Sequence, residues 1–133
     1  MTATEEELAA RFERLPALVN DDAALVRRGA WLSAPFQVHL GALPYHVLVE
    51  RGRIVELERG PFLMRSWRFA VHATVEAWQR FWAPVPEPGW HDLFAIAKRG
   101  AARVEGDLHP LMANLQYVKD VLASPRRLSG GRP

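Results

Sequence analysis

The chain has 133 residues, and 49% of them are hydrophobic, so it can form one domain with a substantial core. It contains no cysteine, which excludes disulfides and thiolate metal sites. Its 17 Lys and Arg residues against 15 Asp and Glu give a formal net charge of +2, too small to favour a nucleic-acid-binding protein.

The N-terminal sequence MTATEEELAARFERL carries acidic residues where a signal peptide carries basic ones. No apolar run approaches the roughly 20 residues that span a bilayer. Together with the absence of cysteine, this predicts a cytoplasmic protein.

Helical spacing predicts two helices before the first strand. Thr4 and Glu7 have the spacing of a capping box at the start of a helix over 5–19. The apolar face of that helix is formed by Leu8, Phe12 and Leu15. A second, short helix is predicted over 22–28, ended by Gly29.

From residue 36 the apolar residues alternate, which predicts antiparallel strands. The first hairpin is expected to turn over 41–44 and to pair Leu40 with Tyr45, which places His39 opposite His46. All six apolar residues of the pair then lie on one face: Phe36, Val38, Leu40, Tyr45, Val47 and Val49.

The second hairpin is expected to have a three-residue loop over 50–52, with Gly52 in the left-handed conformation. That loop pairs Val47 with Val55, whereas a two-residue loop would place Glu56 opposite Val47. The same register places His46 opposite Glu56 on the other face of the sheet. The third strand is expected to end near Gly60.

A fourth strand is predicted over 67–72, followed by a helix that Thr74 caps. Val75, Trp78 and Trp82 share one face of this helix, with Phe81 at its edge. Three prolines between residues 83 and 89 end it. The apolar residues after position 92 then predict another short helix, ended by Gly100.

The C-terminal part predicts a fifth strand followed by a helix. The strand covers 102–106, and Asp107 can cap the helix. The apolar stripe of the helix is Leu111, Leu115, Val118 and Leu122, with Met112 beside it. We expect a single α+β domain over 1–125, a five-stranded, mostly antiparallel sheet with helices packed on one face, and a disordered tail over 126–133.

Three runs of the sequence, in this order, resemble the sterol carrier protein type-two family of lipid-binding domains. They are FQVHLGALPYHVLVERGRIVELERG, RFAVHATVEAWQRFW and AARVEGDL with the closing helix. The family has a signature in which basic residues and a glycine precede a strand that ends in Gly-Asp. In this sequence 98–100 match its first part and 104–107 its second. The resemblance is strongest over 36–122.

The resemblance implies a sheet covered by helices with an apolar tunnel between them that holds sterols, fatty acyl chains or other lipids. It places the ligand-lining positions at Trp78, Phe81, Trp82, Leu93, Phe94, Ala97, Val104, Leu111, Met112, Leu115 and Gln116. The sequence departs from the family at the proline-rich segment 83–89. Its last three residues, Gly-Arg-Pro, are not the family's peroxisomal tripeptide, so a peroxisomal location is not implied.

The residues leave other readings open. The aromatic residues between 62 and 94 can simply fill a core. In the last helix, Gln116 lies closer to the apolar stripe than Tyr117, so it is the preferred polar contact for a lipid head group. A row of His39, His46 and Glu56 is a weak candidate for a metal site, and the face that carries it can instead pack on a second subunit or a helix.

The function predicted first is therefore non-catalytic binding or transfer of a fatty acyl, sterol or prenylquinone-like lipid, with no cofactor. The expected partners are a lipid, at most a transient membrane contact, and a second copy or an enzyme of lipid metabolism. One alternative is a small enzyme for a hydrophobic substrate, with Glu105 or Asp107 as acid or base near His72. Another is a structural module that dimerises through its outer sheet face.

Overall fold

A computed structural model, which describes residues 4–62 and 65–129, contains one five-stranded sheet with helices. The strands are β1 (Ser33–Leu40), β2 (Leu43–Glu50), β3 (Arg53–Arg59), β4 (Phe69–Ala73) and β5 (Ala102–Gly106). The helices are α1 (Glu5–Phe12), α2 (Leu15–Asn20), α3 (Ala23–Arg28), α4 (Val75–Phe81), α5 (Leu93–Lys98), α6 (His109–Ala113), α7 (Leu115–Ala123) and α8 (Arg126–Ser129).

The strands lie in the order β3-β2-β1-β4-β5. All neighbours are antiparallel except β1 and β4, which run parallel. One sheet face is buried in the core together with the apolar sides of the helices. It carries Phe36, Val38, Leu40, Tyr45, Val47, Val49, Phe69 and Val71. The predicted α+β class and the mostly antiparallel sheet are confirmed. None of the described helices is both long and apolar enough to cross a membrane.

The N-terminal helix begins as predicted but is shorter. Thr4 and Glu7 form a complete capping box, in which each side chain accepts a hydrogen bond from the backbone N–H of the other residue. The predicted single helix over 5–19 is wrong, because a turn at residues 13–14 separates α1 from α2. Pro16 lies in the first turn of α2 and has no N–H to continue the hydrogen bonds of α1. The next helix is confirmed, with Asp22 as its N-cap and Gly29 as its C-cap.

The predicted register of the first hairpin is wrong by two residues. Gly41 and Ala42 alone form the turn, and Leu40 pairs with Leu43 instead of Tyr45. Gly41 has a φ of +64°, the left-handed conformation that a tight turn requires. A shift of two residues keeps every side chain on its face, so the predicted apolar face persists.

The second hairpin forms with Gly52 in the predicted left-handed conformation, but its predicted loop length and register are wrong. The turn has two residues, Arg51 and Gly52, with φ values of 51° and 83°. An irregularity in β3 then restores the alternation, so that Val47 pairs with Leu57. Val55 is consequently 51% exposed, whereas Ile54, placed on the outer face by the predicted register, is buried in the core.

The helices after β4 form as predicted. The Thr74 side chain accepts a hydrogen bond from the backbone N–H of Ala77 and caps α4. The C-terminal helix, by contrast, is interrupted at Asn114, whose φ is −128°. The Asn114 side chain donates a hydrogen bond to the carbonyl oxygen of Pro110, 3.0 Å away, in competition with the helical backbone pattern. The predicted continuous helix is therefore two helices, α6 and α7.

The prediction of a disordered tail is wrong for residues 126–129, the part of the tail that the structure describes. Residues Arg126–Ser129 form the short helix α8. It is held to the domain by Arg126, whose Nε donates to the carbonyl oxygen of Phe81 at 2.9 Å. Arg127 donates to the carbonyl oxygen of Leu18 at 2.9 Å. Residues 130–133 of the predicted tail lie outside the described residues.

Candidate functional site

The helix α4 places a group of large aromatic rings against the sheet. Trp78, Phe81 and Trp82 are at most 2% exposed, and the rings of the two tryptophans lie 5.1 Å apart. The indole N–H of Trp78 donates to the carbonyl oxygen of His39 at 2.9 Å, and that of Trp82 to Leu122 at 2.7 Å. Because these polar atoms are satisfied, the rings are fixed in orientation and present apolar surfaces.

The predicted lining residues of α5 and β5 lie at the edge of this core. Leu93 is buried, while Phe94, Ala97 and Val104 are partly buried. Helix α5 packs on β5, which brings these residues together. The Lys119 ammonium group of α7 lies 5.2 Å from the centre of the Phe94 ring, a cation–π contact.

The predicted lining residues of the C-terminal helices divide between core and surface. Leu111 is buried and Leu115 is partly buried against the core. Met112 is 54% exposed. Gln116 is exposed, and its side-chain amide donates to the Asp120 carboxylate at 3.0 Å. Met112 and Gln116 therefore do not lie among the buried aromatic rings.

The sequence-based preference for Gln116 over Tyr117 on the apolar side of the helix is wrong. Tyr117 is 1% exposed, and its hydroxyl group donates to the carbonyl oxygen of Gly52. The interruption at Asn114 sets the orientation of α7 separately from that of α6. The buried residues of α7 are Tyr117, Val118, Val121 and Leu122. An apolar stripe extrapolated from Leu111 along one continuous helix does not predict which residues of α7 are buried.

A cleft of about 280 Å³ joins three of the predicted residues. Phe81, Leu93 and Gln116 line it, and it opens between α7 and the segment that joins α4 to α5. Its charged lining includes an ion pair of Lys119 with Asp92 at 2.9 Å. The cleft therefore combines a few apolar side chains with a lining that is mostly polar and charged.

Arg126 is the second cation of this cleft. Its guanidinium group lies 5.0 Å from the Phe81 ring centre, and burial lowers its pKa. Nη2 of Arg126 is buried without a hydrogen-bond partner among the described residues. Sequence reasoning missed this residue, because its side chain folds back onto α4 from a segment predicted to be disordered.

The outer face of the sheet carries a second polar group of residues. His39 and His72 are partners in the parallel β1–β4 pair, and their rings stack 4.0 Å apart. His72 Nε2 lies 2.7 Å from a Glu105 carboxylate oxygen, and His39 Nε2 lies 3.1 Å from the Gln37 amide oxygen. Burial, followed by the charges of His72 and Arg103, lowers the pKa of His39 to about 4.

The candidate metal row does not form. His46 lies opposite Gln37 and Glu58, so the predicted opposition of His39 and His46 is wrong, as is that of His46 and Glu56. Within 4–62 and 65–129, no group of three or more histidine or acidic residues could hold a metal ion. His46 is 2% exposed and packs against Phe62, which follows β3. The chain itself therefore covers this part of the outer face.

The two candidate acid–base residues are both exposed. Glu105 points to the outer face, away from Val104, as predicted. Asp107 accepts hydrogen bonds from Arg68 at 2.8 Å and from the backbone N–H of His109 at 3.1 Å. These bonds, Arg68 first, hold the pKa of Asp107 below its usual range. The prediction that Asp107 is the N-cap is wrong, because Leu108 occupies that position, and Asp107 instead bonds the first residue of α6 from one residue further upstream.

These features define an α+β domain in which helices with fixed aromatic rings cover one face of a five-stranded mixed sheet. No family model matches the sequence, and no curated protein matches it significantly. The structure, however, is similar to solved structures of sterol carrier proteins, and the fold is that of sterol carrier protein type two.

Three of these structures show the extent of the similarity. A crystal structure of sterol carrier protein 2 matches with a TM-score of 0.69 at 12% identity, over 88% of this chain and 94% of that one. Sterol carrier protein 2 like 2 from Aedes aegypti matches with a TM-score of 0.56 at 20% identity, over 84% and 94%. A UbiJ-SCP2 ubiquinone synthesis protein matches with a TM-score of 0.55 at 15% identity, over 100% and 98%.

Proposed function

We propose that this protein binds a hydrophobic ligand, a fatty acyl, sterol or prenylquinone-like lipid, without chemically changing it. The bound part lies between helices α4, α5 and α7 and the sheet. The observation that carries the proposal is the cleft in which Phe81 and Leu93 form apolar walls next to the fixed tryptophan rings. The likeness to sterol carrier folds and to a ubiquinone synthesis protein supports the same class of ligand.

The size of the cleft limits how a ligand enters. Its volume of about 280 Å³ is close to the lower end of the roughly 300–1,000 Å³ typical of ligand pockets. A long acyl chain therefore requires side chains such as Leu115 and Phe94, which are only partly buried, to move aside. Each methylene group that enters is stabilised by roughly 0.8 kcal/mol, so desolvation alone can drive binding.

The cleft lining holds the cations Lys119 and Arg126 and the carboxylates Asp92 and Asp120, so binding of an anionic ligand end depends on Arg126. Lys119 pairs with Asp92, but Arg126 has no carboxylate partner among the described residues. A fatty acid can place its carboxylate near Arg126 and its chain against Phe81. We infer that this binding takes place in the cytoplasm and uses no cofactor.

The test is native mass spectrometry of the purified protein, together with an organic extract of the same sample. A bound mass that matches a lipid in the extract supports the proposal. Protein that carries no lipid and takes up no fluorescent fatty acid contradicts it. The fixed Asp107 carboxylate does not favour an enzyme, because its ion pair with Arg68 stabilises one protonation state.

A further inference from the structure

One end of the sheet carries four of the five large hydrophobic side chains that the described residues expose. At this end β1, β3 and β4 begin and β2 and β5 end, as the pairs of Ser33 with Glu50 and of Phe69 with Gly106 show. The four residues, with their exposed fractions, are Trp31 at 93%, Met112 at 54%, Val55 at 51% and Leu108 at 42%.

Trp31 lies at the middle of this end, two residues before the central strand β1. The turn that carries it is fixed to the neighbouring hairpin. Gly52 N–H donates to the carbonyl oxygen of Leu32 at 3.3 Å, and Arg51 N–H donates to the Ser33 hydroxyl at 3.0 Å. An indole that is almost fully exposed on a fixed turn contributes little to the stability of the domain. It is therefore available to a partner.

Three exposed arginines flank this tryptophan. Arg51 and Arg53 belong to the β2–β3 hairpin, and Arg27 to the last turn of α3. None of the three forms an ion pair within 4–62 and 65–129, whereas Glu50 is the one acidic residue of the hairpin turn and its flanks, 50–53. This corner of the molecule is therefore positively charged.

The helix and the hairpin that carry these arginines are in close contact. A Cβ atom on Gly52 would lie 2.3 Å from the carbonyl oxygen of Val26 and 2.9 Å from the carbonyl carbon of Gly29. The end of α3 therefore packs directly on the hairpin turn. This contact places Arg27 on the same corner as Arg51 and Arg53.

We propose that Trp31, Arg27, Arg51 and Arg53, here named the docking surface, bind a membrane surface rich in anionic lipids. Tryptophan is favoured at the level of lipid head groups, and arginine pairs with lipid phosphates. Leu108, just before α6, and Met112, near the end of this short helix, add apolar groups at the same end of the sheet. Arg51 and Arg53 line an open cleft with Ser33, Glu50 and Val55. These cations beside an exposed indole suit the phosphates of lipid head groups.

Adsorption to a membrane surface is separate from the proposed binding of a lipid inside the domain. Adsorption to a membrane needs only exposed side chains, so it occurs whether or not the cleft holds a ligand. The two properties are measured separately, one as vesicle binding and the other as ligand uptake. Failure of one therefore leaves the other intact.

The test is co-sedimentation of the whole protein with vesicles of phosphatidylcholine alone and of phosphatidylcholine mixed with phosphatidylglycerol. The protein is expected to bind the anionic vesicles, and added salt is expected to release it. Trp31→Ser, or Arg51→Glu combined with Arg53→Glu, should weaken binding roughly tenfold or more. These positions are exposed, so the thermal unfolding of the variants should match that of the wild type.

Two controls make the result specific. Trp31→Tyr retains an interfacial aromatic residue and should keep most of the binding. Lys98→Glu changes an exposed charge beside the start of β5, at the opposite end of the sheet, and should bind as the wild type does. Equal binding by the wild type and the docking-surface variants would overturn the proposal. So would a concentration-dependent dimer that Trp31→Ser abolishes in a protein without affinity for vesicles.

Discussion

The hydroxyl group of Tyr117 donates a hydrogen bond to the carbonyl oxygen of Gly52, 2.6 Å away, and so joins α7 to the turn between β2 and β3. The ring of Tyr117 also lies against Gly29, where a Cβ atom would be 2.3 Å from Cε1. One buried side chain thus joins the end of α3, the hairpin and the helix that borders the cleft. Burial raises the pKa of this phenol, which stays protonated as the donor.

Replacing Tyr117 with phenylalanine should lower the free energy of unfolding by about 1–3 kcal/mol, because the Gly52 carbonyl oxygen loses its buried donor. The measurement is urea denaturation followed by circular dichroism. Tyr45→Phe is the matched control. Its hydroxyl group bonds to the exposed Glu13, which water can solvate instead, so its loss should be smaller. Equal losses in both variants would contradict the structural role given to the Tyr117 bond.

Alanine substitutions at Gly52 and Gly100 distinguish the destabilisation caused by backbone strain from that caused by steric contact. Both have positive φ values, +83° and +86°, so alanine is strained at either position, by about 1 kcal/mol. At Gly52, however, the added Cβ atom would also meet the backbone of Val26, whereas at Gly100 it meets no atom within 4 Å. Gly52→Ala should therefore be clearly more destabilising than Gly100→Ala in thermal unfolding. A similar melting temperature for both variants would be the contrary result.

His39 makes stability depend on pH in a defined direction. Its pKa is lowered from 6.5 to about 4 in the folded protein, first by burial and then by His72 and Arg103, while Glu105 acts in the opposite direction. The unfolded chain therefore binds more protons between these two values, and stability falls as the pH decreases from about 6.5 to about 4. Because His39 is partly exposed, the loss should be on the order of 1–2 kcal/mol.

The check is urea denaturation of the wild type and of His39→Gln at pH values inside and above this window. His39→Gln cannot be protonated and should lose less stability on acidification than the wild type does. The buried His46, with a pKa lowered mainly by burial, acts in the same direction and leaves some pH dependence in the variant. His109→Gln, at an exposed position, should behave as the wild type. An unchanged pH dependence in His39→Gln would refute the assignment.

Local signals in the sequence predicted the helix starts well. The capping box of Thr4 and Glu7 and the cap Thr74 depend on contacts over three residues, which a sequence displays directly. The side of the sheet on which each residue of 36–40 and 45–50 lies was also predicted, because alternation alone determines it. The register of the first hairpin was not predicted correctly. A shift of two residues leaves every side chain on the same face, so the alternation of apolar residues does not distinguish the two registers.

Other features depend on contacts that are distant in the sequence. The stacking of His39 on His72 follows from the parallel pairing of β1 with β4, and no local pattern encodes that neighbourhood. The burial of Tyr117 follows from the interruption at Asn114, where a side chain competes with the backbone. Of the predicted ligand-lining residues, Phe81, Leu93 and Gln116 meet at one cleft. The ligand-lining role of the full set stays a prediction.

Uptake of a fluorescent fatty acid tests the proposed function most directly. Leu115 is partly buried on α7, and Leu115→Trp should fill the space that a guest needs. The exposed α1 position in Ala10→Trp is the matched control for an added indole. We expect saturable uptake by the wild type and by Ala10→Trp, and a loss of at least tenfold in affinity for Leu115→Trp under conditions where the variant remains folded. The larger side chain should cost about 1–3 kcal/mol of stability. No uptake by the wild type, or equal uptake by folded Leu115→Trp, would contradict a lipid site beneath these helices.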